Sequence, residues 1–120
     1  MHGYHHIIQV LSRLIGENMK GRSVLTSKIE SEIDLLERHV AMLKAIMGHE
    51  PIGIIRLSEL LSVPQHKVRY SLRILEQEGL IQPSPEGAVT TDKLQPFLDH
   101  LKDTLDSMSK TVKELRDSLT

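Results

Sequence analysis

The stretch His66-Lys-Val-Arg-Tyr-Ser-Leu-Arg-Ile-Leu-Glu-Gln-Glu-Gly-Leu80, continuing Ile81-Gln-Pro-Ser-Pro-Glu-Gly-Ala-Val-Thr-Thr-Asp92, decides the fold. Val68, Leu72 and Leu75 recur at helical spacing and mark the inward face of a helix running from Pro64 to Glu78. Pro64 suits the first helical position, where its missing N–H costs nothing, and Gly79 suits the positive-φ position that ends a helix. Leu80-Ile81-Gln82 then reads as a strand. Ser84-Pro85-Glu86-Gly87 carries Pro second and Gly fourth, as a type I turn requires, so Ala88-Val89-Thr90 returns as the second strand of a β-hairpin.

Working outward, Ser62-Val63-Pro64 is a turn preceded by a short helix, Leu57 to Leu61, with Ser58 as its cap, and Gly53 to Arg56 reads as a short strand. Upstream, Ile29, Ile33, Leu36, Val40, Leu43 and Met47 are spaced 4, 3, 4, 3 and 4 over a helix from Thr26 to Met47, stopped by Gly48 and Pro51. Downstream, Thr91 or Asp92 caps a helix in which Leu94, Leu98, Leu101, Leu105, Met108, Val112, Leu115 and Leu119 repeat at alternating spacings of 4 and 3. Pro96 falls in its first turn and is tolerated there. Run unbroken to Leu119, this helix is about 42 Å long, too long for so short a chain to cover by itself. A stripe averaging 3.5 residues per repeat keeps facing a partner helix: either the Thr26 to Met47 helix of the same chain or the same helix of a second copy, and the symmetric dimer is the reading we favour. Tyr4 to Ile15, with Ile7, Ile8, Leu11, Leu14 and Ile15 on one side and Gly16 as its stop, is read as a further short amphipathic helix.

These elements divide the chain into an N-terminal helix and connector (1–22), a compact domain including its long first helix (23–91) and a C-terminal dimerisation helix (92–120), mainly α with one small β-hairpin. With one Phe, two Tyr and no Trp, the core must be aliphatic. The absence of cysteine excludes disulfides, thiolate metal sites and a cysteine nucleophile. No signal peptide or membrane span is expected, and the chain reads as cytoplasmic.

The order helix, strand, helix, turn, helix, hairpin, helix is that of a winged helix-turn-helix, whose second helix enters the DNA major groove. On the side of the 64–78 helix away from Val68 and Leu75 lie His66, Arg69, Tyr70, Arg73 and Gln77, with Gln65 and Lys67 at its start and flank. Guanidinium groups there suit guanine edges or phosphates, and the phenol both stacks and donates. Gln65, His66, Lys67, Arg69, Tyr70 and Arg73 are therefore the candidate DNA-binding residues; the bland alternative is an ordinary solvated face. Acids are held to the far end, at Glu76 and Glu78.

The run from His66 to Asp92 resembles the winged helix domains of predicted archaeal transcriptional regulators and, more loosely, the MarR and ArsR types. The resemblance covers roughly Glu32 to Thr91 and implies a regulator that binds duplex DNA as a homodimer. One departure concerns the hairpin tip, where many such proteins carry Arg or Lys and this chain has Glu86. Charge also bears on the reading. The whole chain has net charge −1, and Pro51 to Thr90 balances Arg56, Lys67, Arg69 and Arg73 against Glu59, Glu76, Glu78 and Glu86. Weak binding by a single domain follows, which dimerisation would offset. The competing function is a protein-interaction module using the heptad helices without DNA; RNA binding is disfavoured by the scarcity of aromatics.

Seven histidines, among them His2, His5 and His6, show no ligand spacing, so no metal is expected. No phosphate loop or nucleophile elbow points to an enzyme, and no cofactor is implied. Met19, Met42, Met47 and Met108 are read as filling helix seams. No polar anchor identifies a small-molecule effector.

Overall fold

The computed structural model describes residues 23–120; the expected helix over Tyr4 to Ile15 lies outside them. Among these residues the order is α1 (Val24–His49), α2 (Ile54–Leu61), α3 (Gln65–Gln77), β1 (Ile81–Ser84), β2 (Gly87–Thr90) and α4 (Leu94–Ser118). The described chain is mainly helical with one two-stranded antiparallel hairpin. None of its helices is long and apolar enough to cross a membrane.

The core gathers Met42, Leu43, Ala45 and Ile46 of α1, Ile52, Leu57 of α2, Val68 and Leu75 of α3, then Leu80, Ile81, Ala88 and Leu94. The buried face of α1 differs from the expected stripe. Met42 and Ile46 are fully buried, whereas Ile29, Ile33 and Met47 are exposed. A 3.5-residue repeat drifts around a straight 3.6-residue helix, and the domain packs on the adjacent face instead. Met42 therefore belongs to the core, and Met47 and Met108 face outward.

Three further expectations are corrected between α1 and α3. Gly53 to Arg56 is not a strand: Gly53 caps α2 and the chain is helical from Ile54. Its pairing shrinks to one bridge, with Ile52 N donating to Ala88 O (3.2 Å) and Ala88 N to Ile52 O (2.8 Å). Ser58 then falls inside α2, where its hydroxyl donates to the Val63 carbonyl rather than capping an N-terminus. Pro64 precedes the helix as the α3 N-cap, with extended ψ of 145°.

At the other end of α3 the turn chemistry matches the expectation. Gly79 has φ +76°, the Gly79 N–H donates to Glu76 O (2.9 Å) and the Leu80 N–H to Leu75 O (3.0 Å). This double bond pattern closes the helix with Leu75 and Leu80 both buried. β1 and β2 pair from Ile81↔Thr90 to Ser84↔Gly87 around Pro85-Glu86. Neither loop residue has positive φ; Gly87 does, at +134°. A Cβ on Gly87 would lie 2.5–2.8 Å from the Ile52 backbone, so only glycine lets the hairpin approach the α1–α2 connection this closely.

The hairpin base is tied by Thr91, whose N–H donates to Leu80 O (3.0 Å) and whose hydroxyl donates to Gly79 O. Glu50, just after α1, accepts from Thr90 N (2.8 Å) and Thr90 Oγ1 (3.0 Å). α4 starts at Leu94 with Lys93 as its cap residue, so Asp92 plays no capping part; the Thr91 hydroxyl instead accepts from Lys93 N (3.3 Å). Pro96 sits in the first turn of α4 without breaking it.

Candidate nucleic-acid interface

α3 is amphipathic: Val68 and Ser71 are fully buried, Leu75 nearly so, and Leu72 packs against the core from a half-buried position. Gln65, His66, Lys67, Arg69, Tyr70 and Arg73 are all exposed. Five of these six residues, all but Gln65, line one open depression of about 480 Å³ together with Arg38 of α1. Gln65 lies on the other flank, where it lines a second depression of about 590 Å³ with Gly53, Ile54, Ile55, Arg56, Glu59 and Arg69. Arg69 borders both, so it stands at the crest of the helix between the α1 and α2 sides.

Arg38, His39 and Ser71 are the residues that sequence reasoning missed. Ser71 looks like a helix-interior polar residue, yet it is fully buried and joins α3 to α1. The Arg38 Nε–H donates to Ser71 Oγ at 3.0 Å, and Ser71 Oγ lies 3.0 Å from His39 Nδ1. A serine hydroxyl has one proton. Having accepted from Arg38, it donates to His39 Nδ1, which needs that nitrogen unprotonated. The electrostatics agree: burial lowers the His39 pKa below its ordinary 6.5, and the Arg38 charge lowers it further.

Tyr70 is held in the same cluster. The Arg38 guanidinium carbon lies 5.8 Å from the centre of the Tyr70 ring, and the His39 ring centre 6.2 Å from it. Tyr70 remains 42% exposed, so one side of its ring is engaged by α1 while the rest faces solvent. The only sequence signal for this contact is Arg38-His39 lying within the α1 heptads, with nothing local to connect it to Ser71.

The depression is lined by cations. Among the described residues no carboxylate lies within ion-pair distance of Arg38, Lys67, Arg69 or Arg73. Two arginines, a lysine, an imidazole and a phenol presented on one helix face, beside a third arginine, can bind polyanions and donate to acceptors on base edges. The described residues contain no group of three or more His, Asp or Glu side chains placed to hold a metal ion; His2, His5 and His6 lie outside them.

The candidate dimerisation stripe divides in two. Leu94 is buried in the domain core and Leu98 packs against it, with Leu101 half-buried. Beyond that point Leu105 (41%), Met108 (51%), Val112 (64%) and Leu115 (62%) are exposed. The far half of α4 is therefore not covered by α1 of the same chain. The first half of α1 also carries bare apolar side chains, Val24, Leu25 and Ile29.

No protein-family model matches this chain, and no curated protein matches it either.

Proposed function

We propose that this chain is a winged helix-turn-helix regulator of transcription that inserts α3 into the major groove of duplex DNA and acts as a homodimer. In this reading α2 and α3 are the two helices of the motif, the β1–β2 hairpin is the wing, and Arg69 and Arg73 meet base edges or phosphates. The observation that carries it is the convergence of His66, Lys67, Arg69, Tyr70 and Arg73 on one exposed depression with no carboxylate partner among the described residues. Unpaired cations on one face are what phosphate binding selects for, and they account for local affinity in a chain of net charge −1. The exposed Leu105, Met108, Val112 and Leu115 supply the seam for a second copy, which would place two α3 helices across a two-fold axis.

Fluorescence anisotropy on duplexes selected from a random pool tests the proposal. Binding is expected to weaken at least tenfold in the Arg69→Ala/Arg73→Ala double variant; unchanged binding in that variant would overturn the assignment of α3.

A second reading, recruitment of a protein partner by the helices, is favoured by the same exposed half of α4 and by the acid Glu86 at the exposed hairpin tip. Absence of duplex binding at about 50 mM salt, where phosphate contacts are strongest, would select it.

A further inference from the structure

We propose that Arg38 of α1 holds a backbone phosphate of the bound duplex, so that the binding face spans two helices rather than α3 alone. This rests on the DNA-binding reading and extends it to a residue outside the helix-turn-helix.

Arg38 is anchored by one nitrogen and free at the others. Its Nε–H is given to Ser71, and among the described residues no hydrogen bond uses its terminal nitrogens. The Tyr70 ring centre lies 5.8 Å from the guanidinium carbon, within reach of a cation–π attraction that adds to this anchor. A guanidinium pre-set in this way loses little conformational freedom on gripping an anion, and its paired N–H groups match two phosphate oxygens. It also has an electrostatic reason to take one. The side chain is only partly exposed and has no carboxylate partner among the described residues, a state that an incoming anion relieves.

Position separates Arg38 from the residues that read bases. It enters the depression from the α1 side, beside Lys67 and Tyr70, whereas Arg69 stands at the crest of α3. When a helix lies in the major groove, groups at its crest meet base edges and groups on a neighbouring element at its flank meet the sugar-phosphate wall. A phosphate contact is blind to sequence, so the contribution of Arg38 is uniform across duplexes.

The test is a salt series of anisotropy titrations on a selected duplex and on its scrambled counterpart, comparing wild type with Arg38→Gln. The glutamine amide retains a donor for Ser71 while removing the charge. The expected result is an equal fold-loss of affinity on both duplexes, with the slope of log K against log salt shallower by about 0.9, one phosphate contact. Arg38→Lys keeps the charge and is expected to keep the wild-type slope. A wild-type slope in Arg38→Gln would overturn the proposal, as would an equally shallow slope in Arg38→Lys, which would assign the effect to lost packing. If Arg69→Ala/Arg73→Ala abolishes binding while Arg38→Gln leaves it intact, only the Arg38 contact falls. If wild type binds no duplex at about 50 mM salt, both readings fall.

Discussion

Ser71 Oγ of α3 lies 3.0 Å from His39 Nδ1 of α1, a part-buried polar contact that, together with the Arg38 Nε–H donated to the same hydroxyl, joins the two helices beside an aliphatic core. Because His39 is more reluctant to bind a proton in the folded chain than in the unfolded one, the contact makes stability depend on pH. As pH falls below 6.5 the unfolded chain takes up a proton at His39 before the folded one does, so stability drops. Well above that value neither state is protonated and the contribution is complete. Denaturant unfolding between pH 5 and pH 8 is expected to give rising stability with pH. The His39→Gln variant should show a flatter profile over the same range; an identical profile would exclude His39 as the source.

Removing the Ser71 hydroxyl strips a partner from both Arg38 and His39. Ser71→Ala is expected to cost about 1–3 kcal/mol, the usual range for leaving a buried polar group unpaired, despite the better helix propensity of alanine. Thermal unfolding reads this directly. A gain in stability would mean that the apolar replacement outweighs the network.

Gly87 is expected to tolerate no side chain. Gly87→Ala forces an L-residue to φ +134° and drives its Cβ into the Ile52 backbone, 2.5 Å from the carbonyl carbon. Backbone strain of this kind costs about 1–3 kcal/mol, which in a domain of this size lowers Tm on the order of 10 °C. Gly48, where an added methyl group would meet nothing within 4 Å, serves as the control at which alanine should be harmless.

The exposed half of α4 predicts the mass in solution. Light scattering is expected to give about twice the chain mass of 13.6 kDa for wild type, and a mass near 13.6 kDa for Met108→Glu/Val112→Glu, which charges the middle of the stripe. A wild-type mass near 13.6 kDa would remove the homodimer from the proposed function.

Where a residue's role is set by its immediate neighbours in the chain, it is legible in the sequence. Gly79 is such a case, since a glycine after Glu76-Gln77-Glu78 can end the helix in only a few ways, and the hydrogen bonds from Gly79 N–H to Glu76 O and from Leu80 N–H to Leu75 O follow. The Pro85-Glu86 reversal is another. Ile54-Ile55-Arg56 reads as strand but folds as helix, because a short apolar run has no period long enough to separate the two. Leu94 and Leu98 fit the heptads as well as Met108 does; only tertiary packing reveals that the core has already taken them. For the site, the exposed face of α3 is legible from periodicity alone. Arg38 is not, because its approach to Tyr70 depends on how α1 crosses α3.

The Thr91 bonds to Gly79 and Leu80 bring the chain back, after the hairpin, to the point where it left α3. The start of α4 is thus fixed without reference to what lies at the far end of the loop. Ala88 is hydrogen-bonded to Ile52 and Gly87 lies close against it, but the Pro85 and Glu86 side chains are exposed. Charge at those two positions can therefore change while the helical scaffold stays intact, so the tip is separable from the body that carries it.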